Sequence, residues 1–469
     1  MPIILRKYQD IAIEKVRDSF RKGNKAPCLV LPTGGGKTIC FCKIAESAVK
    51  NGKKVLILVH RAELLYQASE KLHNFGLSHG RISPEFTPAY YENIQLGSVD
   101  TVIKRLDYLQ EPDLIIIDEA HHVLRDNKWG KIVEKFKNSR LLGVTATPIR
   151  TNGDGLGINA SGFFDDLIIA TSVKELTELG YLCKAEYYAP PSHIDLSNIK
   201  IRGGDYDSKG LSAETNKPDI TGDAIKHYKK LAYNLPAIAF CVDKKHAEEV
   251  AAEFCAAGIH SEFIHGSLKS SERKAKIDGL SNGRIKVLTS VNVISEGTDI
   301  PRVVNAILLR KTKSLSLHLQ MIGRVLRILE GKEFAIITDH VGNIIEHGFA
   351  DTERIWSLDG VKKRKKKEFT IPPTIQCSNC YSMYYSNKNK ICPKCGHEIP
   401  IQEKEITYSS DDLVKVTEEY KKKLSDEIKR ASTVEELQNI AKRENYHPKW
   451  VEYKKKYLKK YIPHPAEGL

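Results

Sequence analysis

Cys28-Leu29-Val30-Leu31-Pro32-Thr33-Gly34-Gly35-Gly36-Lys37-Thr38 sets four apolar residues before a glycine turn closed by Lys-Thr, and Leu114-Ile115-Ile116-Ile117-Asp118-Glu119-Ala120-His121 sets four more before two carboxylates. Both apolar runs read as buried parallel strands by length and branching. Both polar clusters therefore fall at strand C-terminal ends, where α/β sheets bind ligands. Gly34, Gly35 and Gly36 let backbone N–H groups reach phosphates, and the helix that follows turns its positive end toward them. Lys37 is expected at the β/γ-phosphates and the Thr38 hydroxyl at one Mg²⁺ position. Asp118 would hold the same ion, and Glu119 would orient or deprotonate the attacking water. Leu31 stands where the general P-loop pattern has its first glycine, so the strict pattern is not met. Either cluster alone is an ordinary loop or surface feature; the conjunction reads as nucleoside triphosphate binding.

A chain of 469 residues is too long for one core and implies two or three domains. Residues 1–185 alternate strands (27–32, 54–59, 94–98, 114–118, 141–145) with helical stretches (8–21, 37–50), the pattern of a doubly wound parallel sheet. A Pro/Gly/Ser-rich interval, 186–219, reads as linker. A second βα series spans 220–355, with strands at 236–242, 260–265, 285–290, 304–309 and 333–339. A basic linker (356–372), a cysteine module (373–400) and a basic helical tail (411–461) follow.

The net charge is +14, and residues 361–469 hold 24 Lys+Arg against 15 Asp+Glu. Such an excess fits a polyanionic partner, although basic surfaces also keep proteins in solution. The Lys362–Lys367 run suits phosphate contact or a plain linker, with nuclear import a third reading. Cys377, Cys380, Cys392 and Cys395 form C-x2-C-x11-C-x2-C. This spacing puts two thiolate knuckles around one tetrahedral ion, Zn²⁺ by default, and leaves no open position for catalysis. Disulfides are the alternative. The other six cysteines lie in apolar surroundings, as reduced core cysteines do. Tyr381, Tyr384 and Tyr385 either form the module's small core or stack on bases. No apolar run approaches the roughly 18 residues of a membrane span. The N-terminus lacks a signal-peptide core, so a cytoplasmic protein is expected, or a nuclear one in a eukaryote.

Gln320-Met321-Ile322-Gly323-Arg324-Val325-Leu326-Arg327 places two arginines on one helix face. Alone this is a solvated face; opposite a phosphate-binding domain it reads as an arginine finger, which stabilises charge in phosphoryl transfer. The ordered motifs across about residues 3–345 resemble superfamily-two helicases of the DEAD/DEAH-box type. That resemblance implies two RecA-like domains clasping ATP, followed here by a zinc ribbon and a short helical tail. Leu5-Arg6-Lys7-Tyr8-Gln9 resembles the adenine-reading segment, with Gln9 on the base edge and Arg6 beside it. Pro32 through Thr38 resembles motif I, bringing Pro32 and Thr33 to the nucleotide. Val59 to Leu64 and Gly97 to Thr101 resemble motifs Ia and Ib, which implies that His60, Arg61, Ser98 and Thr101 hold a nucleic-acid backbone. Asp118 to His121 matches motif II. His121 with Thr145 and Thr147, of a motif III-like Thr145-Ala146-Thr147-Pro148, would couple ATP state to strand binding. Phe240-Cys241 begins a motif IV-like segment. Thr289 through Asp299 resembles motif V, with Thr289 on the strand and Gly297 and Asp299 toward the nucleotide. Gln320, Arg324 and Arg327 belong to a motif VI. His122 carries no assigned role and reads as ordinary loop or helix surface.

Gln320 stands where DEAD-box RNA helicases open motif VI with His-Arg. The Gln-x-x-Gly-Arg-x-x-Arg form, Arg6-x-Tyr8-Gln9 and the His60-Arg61 pair resemble DNA-acting branches. A compact core with a C-terminal zinc module also resembles bacterial and phage proteins of DNA replication, recombination or repair. The expectation is an ATP-dependent DNA helicase or translocase using ATP, Mg²⁺ and a structural Zn²⁺, with DNA favoured over RNA and replication or repair proteins as candidate partners. An RNA helicase, a duplex-DNA translocase that separates no strands, and a zinc-dependent adaptor with an ATPase switch are the alternatives.

Overall fold

The computed structural model describes residues 3–189, 199–202, 204–215, 218–291, 293–294, 300, 302–360, 374–385, 391–398, 424, 426–444, 446 and 449–458. Residues 1–400 form one compact unit and 401–469 another. Among the described residues no helix is long and apolar enough to cross a membrane.

The first lobe is built on seven parallel strands: β1 (Pro27–Val30), β2 (Val55–Val59), β3 (Gly80–Ile82), β4 (Ile94–Ser98), β5 (Leu114–Asp118), β6 (Arg140–Thr145) and β7 (Asp166–Ile169), in the order β3-β4-β2-β5-β6-β1-β7. β1, β2 and β5 are buried along their whole length, which is why they read as unbroken apolar runs. The edge strands β3 and β7 are short and partly exposed, and no such run marks them.

The second sheet draws on more of the chain than its own βα series. β8 (Lys184–Tyr188) runs into the start of the interval read as linker, and it pairs in parallel with the last strand of the second lobe, Lys184 opposite Phe334. The interval itself carries a small hairpin, β9 (Ile201–Arg202) and β10 (Asp205–Tyr206), then helices Ser208–Thr215 and Pro218–Leu231. With β11 (Ala237–Phe240), β12 (Ser261–His265), β13 (Val287–Val291), β14 (Asn305–Leu308) and β15 (Phe334–Asp339), the order is β12-β13-β11-β14-β15-β8. β17 (Ser382–Tyr385) then adds antiparallel to β8, and β16 (Thr374–Gln376) to β17. The cysteine hairpin thus continues the second sheet.

After the second lobe the chain returns to the first. Gly157 donates its N–H to the Leu358 carbonyl at 2.9 Å, Asp154 bridges Gly360, and Leu358 packs beside Leu156 and Phe164. A Cβ on Gly155 would fall against the Leu358 carbonyl oxygen, and one on Gly157 would lie 2.7 Å from Leu358 Cβ. This strap needs glycine on its docking side. In the second unit, helix Val434–Arg443 is capped by Thr433 and Glu436, and Leu437, Ala441 and Val451 are buried together.

Gly155→Ala is expected to destabilise the strap by about 1–3 kcal/mol through overpacking. The check is limited proteolysis, with faster cleavage between residues 349 and 360 than in the wild type.

Candidate nucleotide and nucleic-acid site

Between β1 and helix Lys37–Lys50 the backbone reverses through Gly34 (φ +85°) and Gly36 (φ +83°), with Gly36 as N-cap. Both angles lie where side chains are strained. Tyr8 Oη and Gln9 Nε2 donate to the Gly35 carbonyl at 2.8 and 3.2 Å, while Gln9 Oε1 accepts from the Arg6 N–H at 2.9 Å. Gln9 is therefore directed at the loop, where a base-edge contact was expected. Arg6 stacks over the Tyr181 ring at 4.1 Å.

β5 delivers Asp118 and Glu119 opposite this loop. Glu119 takes a left-handed turn (φ +52°) and donates its N–H to Asp118 Oδ1 at 3.0 Å. Lys37 Nζ lies 3.3 Å from Glu119 Oε1, and His121 Nδ1 3.4 Å from Glu119 Oε2. Burial, and then the charge of Glu119, push the Asp118 carboxyl up to about 7. A divalent cation reverses that logic, which makes the pair a receptive site for one. Thr38 begins the helix beside Lys37 and is half-buried.

His121 Nδ1 is 3.0 Å from Thr145 Oγ1, which gives its own hydrogen to the Thr147 carbonyl (3.1 Å) and accepts from Thr147 N–H (3.2 Å). Thr147 Oγ1 then donates to Ser316 Oγ at 2.6 Å, in the second lobe. His121, Thr145 and Thr147 are thus brought together, and Ser316 joins them without any sequence signal.

Helix Leu315–Gly323, capped by Ser314, carries Gln320 into the seam between lobes. A Cβ on Gly323 would lie 2.6 Å from Thr33 Cβ, and Arg327 Cγ is 3.9 Å from a Cβ built on Gly34. Motif VI therefore rests on the phosphate loop. The expected pairing of two arginines on one helix face is corrected: the helix ends at Gly323, Arg324 is its C-cap, and Arg327 lies beyond it on a bridge to Leu182. Gln320 and Arg324 are buried, and burial pushes the Arg327 guanidinium down to about 10. Lys332 Nζ donates to the carbonyls of Val303, Val325 and Arg327 at 2.6, 2.7 and 2.8 Å. Sequence reasoning missed this clamp, because a lysine after a Gly turn has no local mark of burial.

Arg61 Nε donates to His60 Nε2 at 3.1 Å, and its Nη1 reaches the Val293 carbonyl across the lobes at 3.4 Å. Ser98 Oγ donates to Thr101 Oγ1 at 2.9 Å. Thr289 is corrected: it is fully buried, with its hydroxyl on the Ala247 carbonyl at 2.7 Å, so it faces no strand. His122 is corrected too, since its ring packs between His60 and His121 rather than on open surface. Gly297 and Asp299 lie outside the described residues.

The sulfur atoms of Cys377, Cys380, Cys392 and Cys395 lie within 4.8 Å of one another. Tyr381 N–H bonds the Cys377 carbonyl and Gly396 N–H the Cys392 carbonyl, giving two matching knuckles. Four converging thiols suit a tetrahedral thiolate-bound ion such as Zn²⁺.

Residues 2–150 match the family described as "Type III restriction enzyme, res subunit", and residues 220–329 the "Helicase conserved C-terminal domain". A 51.5 kDa protein of a Lactococcus phage (isolate 7-9) is 34% identical over 397 residues, covering 84% of this chain and 82% of that protein. "Putative ATP-dependent helicase IRC3" of Saccharomyces cerevisiae is 32% identical over 363 residues, 72% of this chain and 52% of that protein, so the chain spans about half that relative's length. Among solved structures, the type ISP restriction-modification enzyme LlaBIII bound to DNA aligns with TM-score 0.53 at 19% identity, over 72% of this chain and 28% of that one. Saccharomyces cerevisiae Dbp5 bound to RNA aligns with TM-score 0.51 at 19% identity, over 73% and 85%. The chain belongs to the superfamily-two helicases, ATP-hydrolysing enzymes that act on nucleic acid.

Gly323→Ala is expected to lower ATP turnover by about 10²-fold, since an ångström-scale misplacement at a reacting centre costs that much. Steady-state ATPase kinetics, with thermal melting as the folding control, check it.

Proposed function

We propose that this protein is an ATP-driven DNA helicase or translocase of replication, recombination or repair, working by closure and opening of its two lobes. The observation that carries the reading is the seam: a glycine loop, Lys37 and a buried carboxylate pair on one lobe, with the helix bearing Gln320 resting on that loop from the other through Gly323, just before Arg324. In this reading Lys37 and the loop N–H groups hold the phosphates of ATP, and Thr38 and Asp118 hold Mg²⁺. Glu119 orients the water, and Gln320, Arg324 and Arg327 face the γ-phosphate from the second lobe. Bound Mg²⁺ supplies neutralisation of developing phosphate charge. The chain from Glu119 through His121, Thr145 and Thr147 to Ser316 makes the carboxylate sensitive to whether the lobes are joined. Arg61, Ser98 and Thr101 grip a sugar–phosphate backbone without reading sequence.

The restriction-enzyme-type first lobe supports DNA over RNA. The fold itself favours neither, because DNA-bound and RNA-bound proteins share it. Zn²⁺ in the four-cysteine cluster would lock the β16–β17 hairpin against β8 and so serve the second lobe structurally.

ATPase assays with single-stranded, duplex and forked DNA and with RNA test the reading. Stimulation is expected from DNA and should exceed that from RNA; stimulation by RNA alone would overturn the DNA assignment. Arg324→Ala should cost about 10³–10⁵ in stimulated rate. Cys392→Ser should release one equivalent of zinc, measured by atomic emission, and lower the melting temperature.

A further inference from the structure

We propose that His122 is a positioning residue: a row of three packed, mutually tilted imidazoles ties Arg61, and hence a bound strand, to Glu119. The proposal rests on the reading of Arg61 as a strand contact. β2 and β5 are neighbours in register, Leu58 opposite Ile117, so the residues just past their ends are adjacent. His60 leaves β2 there, and the short turn Ala120–His122 leaves β5. The rings of His60 and His122 lie 4.9 Å apart, and those of His122 and His121 4.3 Å apart.

Each end of the row is anchored to chemistry. His121 Nδ1 is 3.4 Å from Glu119 Oε2, and His60 Nε2 accepts from Arg61 Nε at 3.1 Å. The turn cannot swing away, because Asn127 Nδ2 donates to the His122 carbonyl at 2.8 Å and Val123 is buried. A phosphate drawn to Arg61 competes with His60 for the guanidinium N–H groups. The His60 ring then repacks, and packed rings respond by discrete rearrangement rather than by continuous give. His122 is the ring through which that change reaches His121 and Glu119. The route through Thr147 and Ser316 reports lobe closure; this one starts at Arg61, which also reaches the Val293 carbonyl of the second lobe, and adds the strand.

Coupling between the two ligands is the test, because it is a free energy that folding defects do not mimic. Affinity of the full chain for fluorescent single-stranded DNA is measured with and without a magnesium-loaded non-hydrolysable ATP analogue, and analogue affinity with and without DNA. Wild-type coupling of about 5–150-fold is expected. His122→Ala should cut it severalfold while each ligand's affinity in the absence of the other stays near wild type, and His122→Phe, which keeps a stacking ring, should retain most of it. Unchanged coupling in His122→Ala overturns the proposal. So does a loss of both single-ligand affinities equal to the loss in the ternary complex, or a His122→Phe protein that behaves like His122→Ala. A wild type without coupling overturns it as well, whereas an Arg61→Ala protein that binds DNA as tightly as wild type removes the strand-contact reading beneath it.

Discussion

The approach of Gly323 to Thr33 is the constraint from which the functional geometry follows. Only a residue without Cβ lets a helix of the second lobe rest on the glycine loop of the first. That approach brings Arg327 to the loop, and Lys332 ties the carbonyls of Val325 and Arg327 to that of Val303. A side chain at Gly323 would meet the Thr33 side chain and open the seam.

The carboxylates are the electrostatic counterpart. Burial, and then the neighbouring charge of Glu119, disfavour the ionised form of Asp118, and Lys37 offsets this only partly. The site is therefore built for added positive charge. Glu119 also pays a conformational cost in its left-handed turn, and that turn is what sends His121 toward Thr145 and His122 toward His60. One strained residue thus feeds two routes out of the nucleotide site.

The strap and the cysteine hairpin are integrated into the two lobes rather than strung after them. The strap of residues 349–360 docks on the first lobe, and the cysteine hairpin extends the sheet of the second through β8. Gln376 bonds the Ala189 carbonyl, and Lys394 contacts Glu186 and Tyr188. Those contacts all reach the segment that leads out of the first lobe, so the hairpin buttresses the crossing between lobes.

Gly34 to Thr38, Asp118 to His121 and the four cysteines were legible in the sequence because their chemistry is local: a turn, a strand end and a knuckle each need their residues at fixed short spacing. The buried strands were legible for the same reason, each being a continuous apolar run. Thr289 was misread because a hydroxyl in a central strand has the same local signature whether it faces a ligand or the Ala247 carbonyl. β8 in the second sheet, Ser316 on Thr147, Lys332 under motif VI and His122 between two other histidines all depend on partners far away along the chain. The sequence by itself determined which groups can bind a triphosphate and a metal ion; only the tertiary structure decided which of them meet, because register, close packing and burial are set by residues with no neighbouring position in the chain.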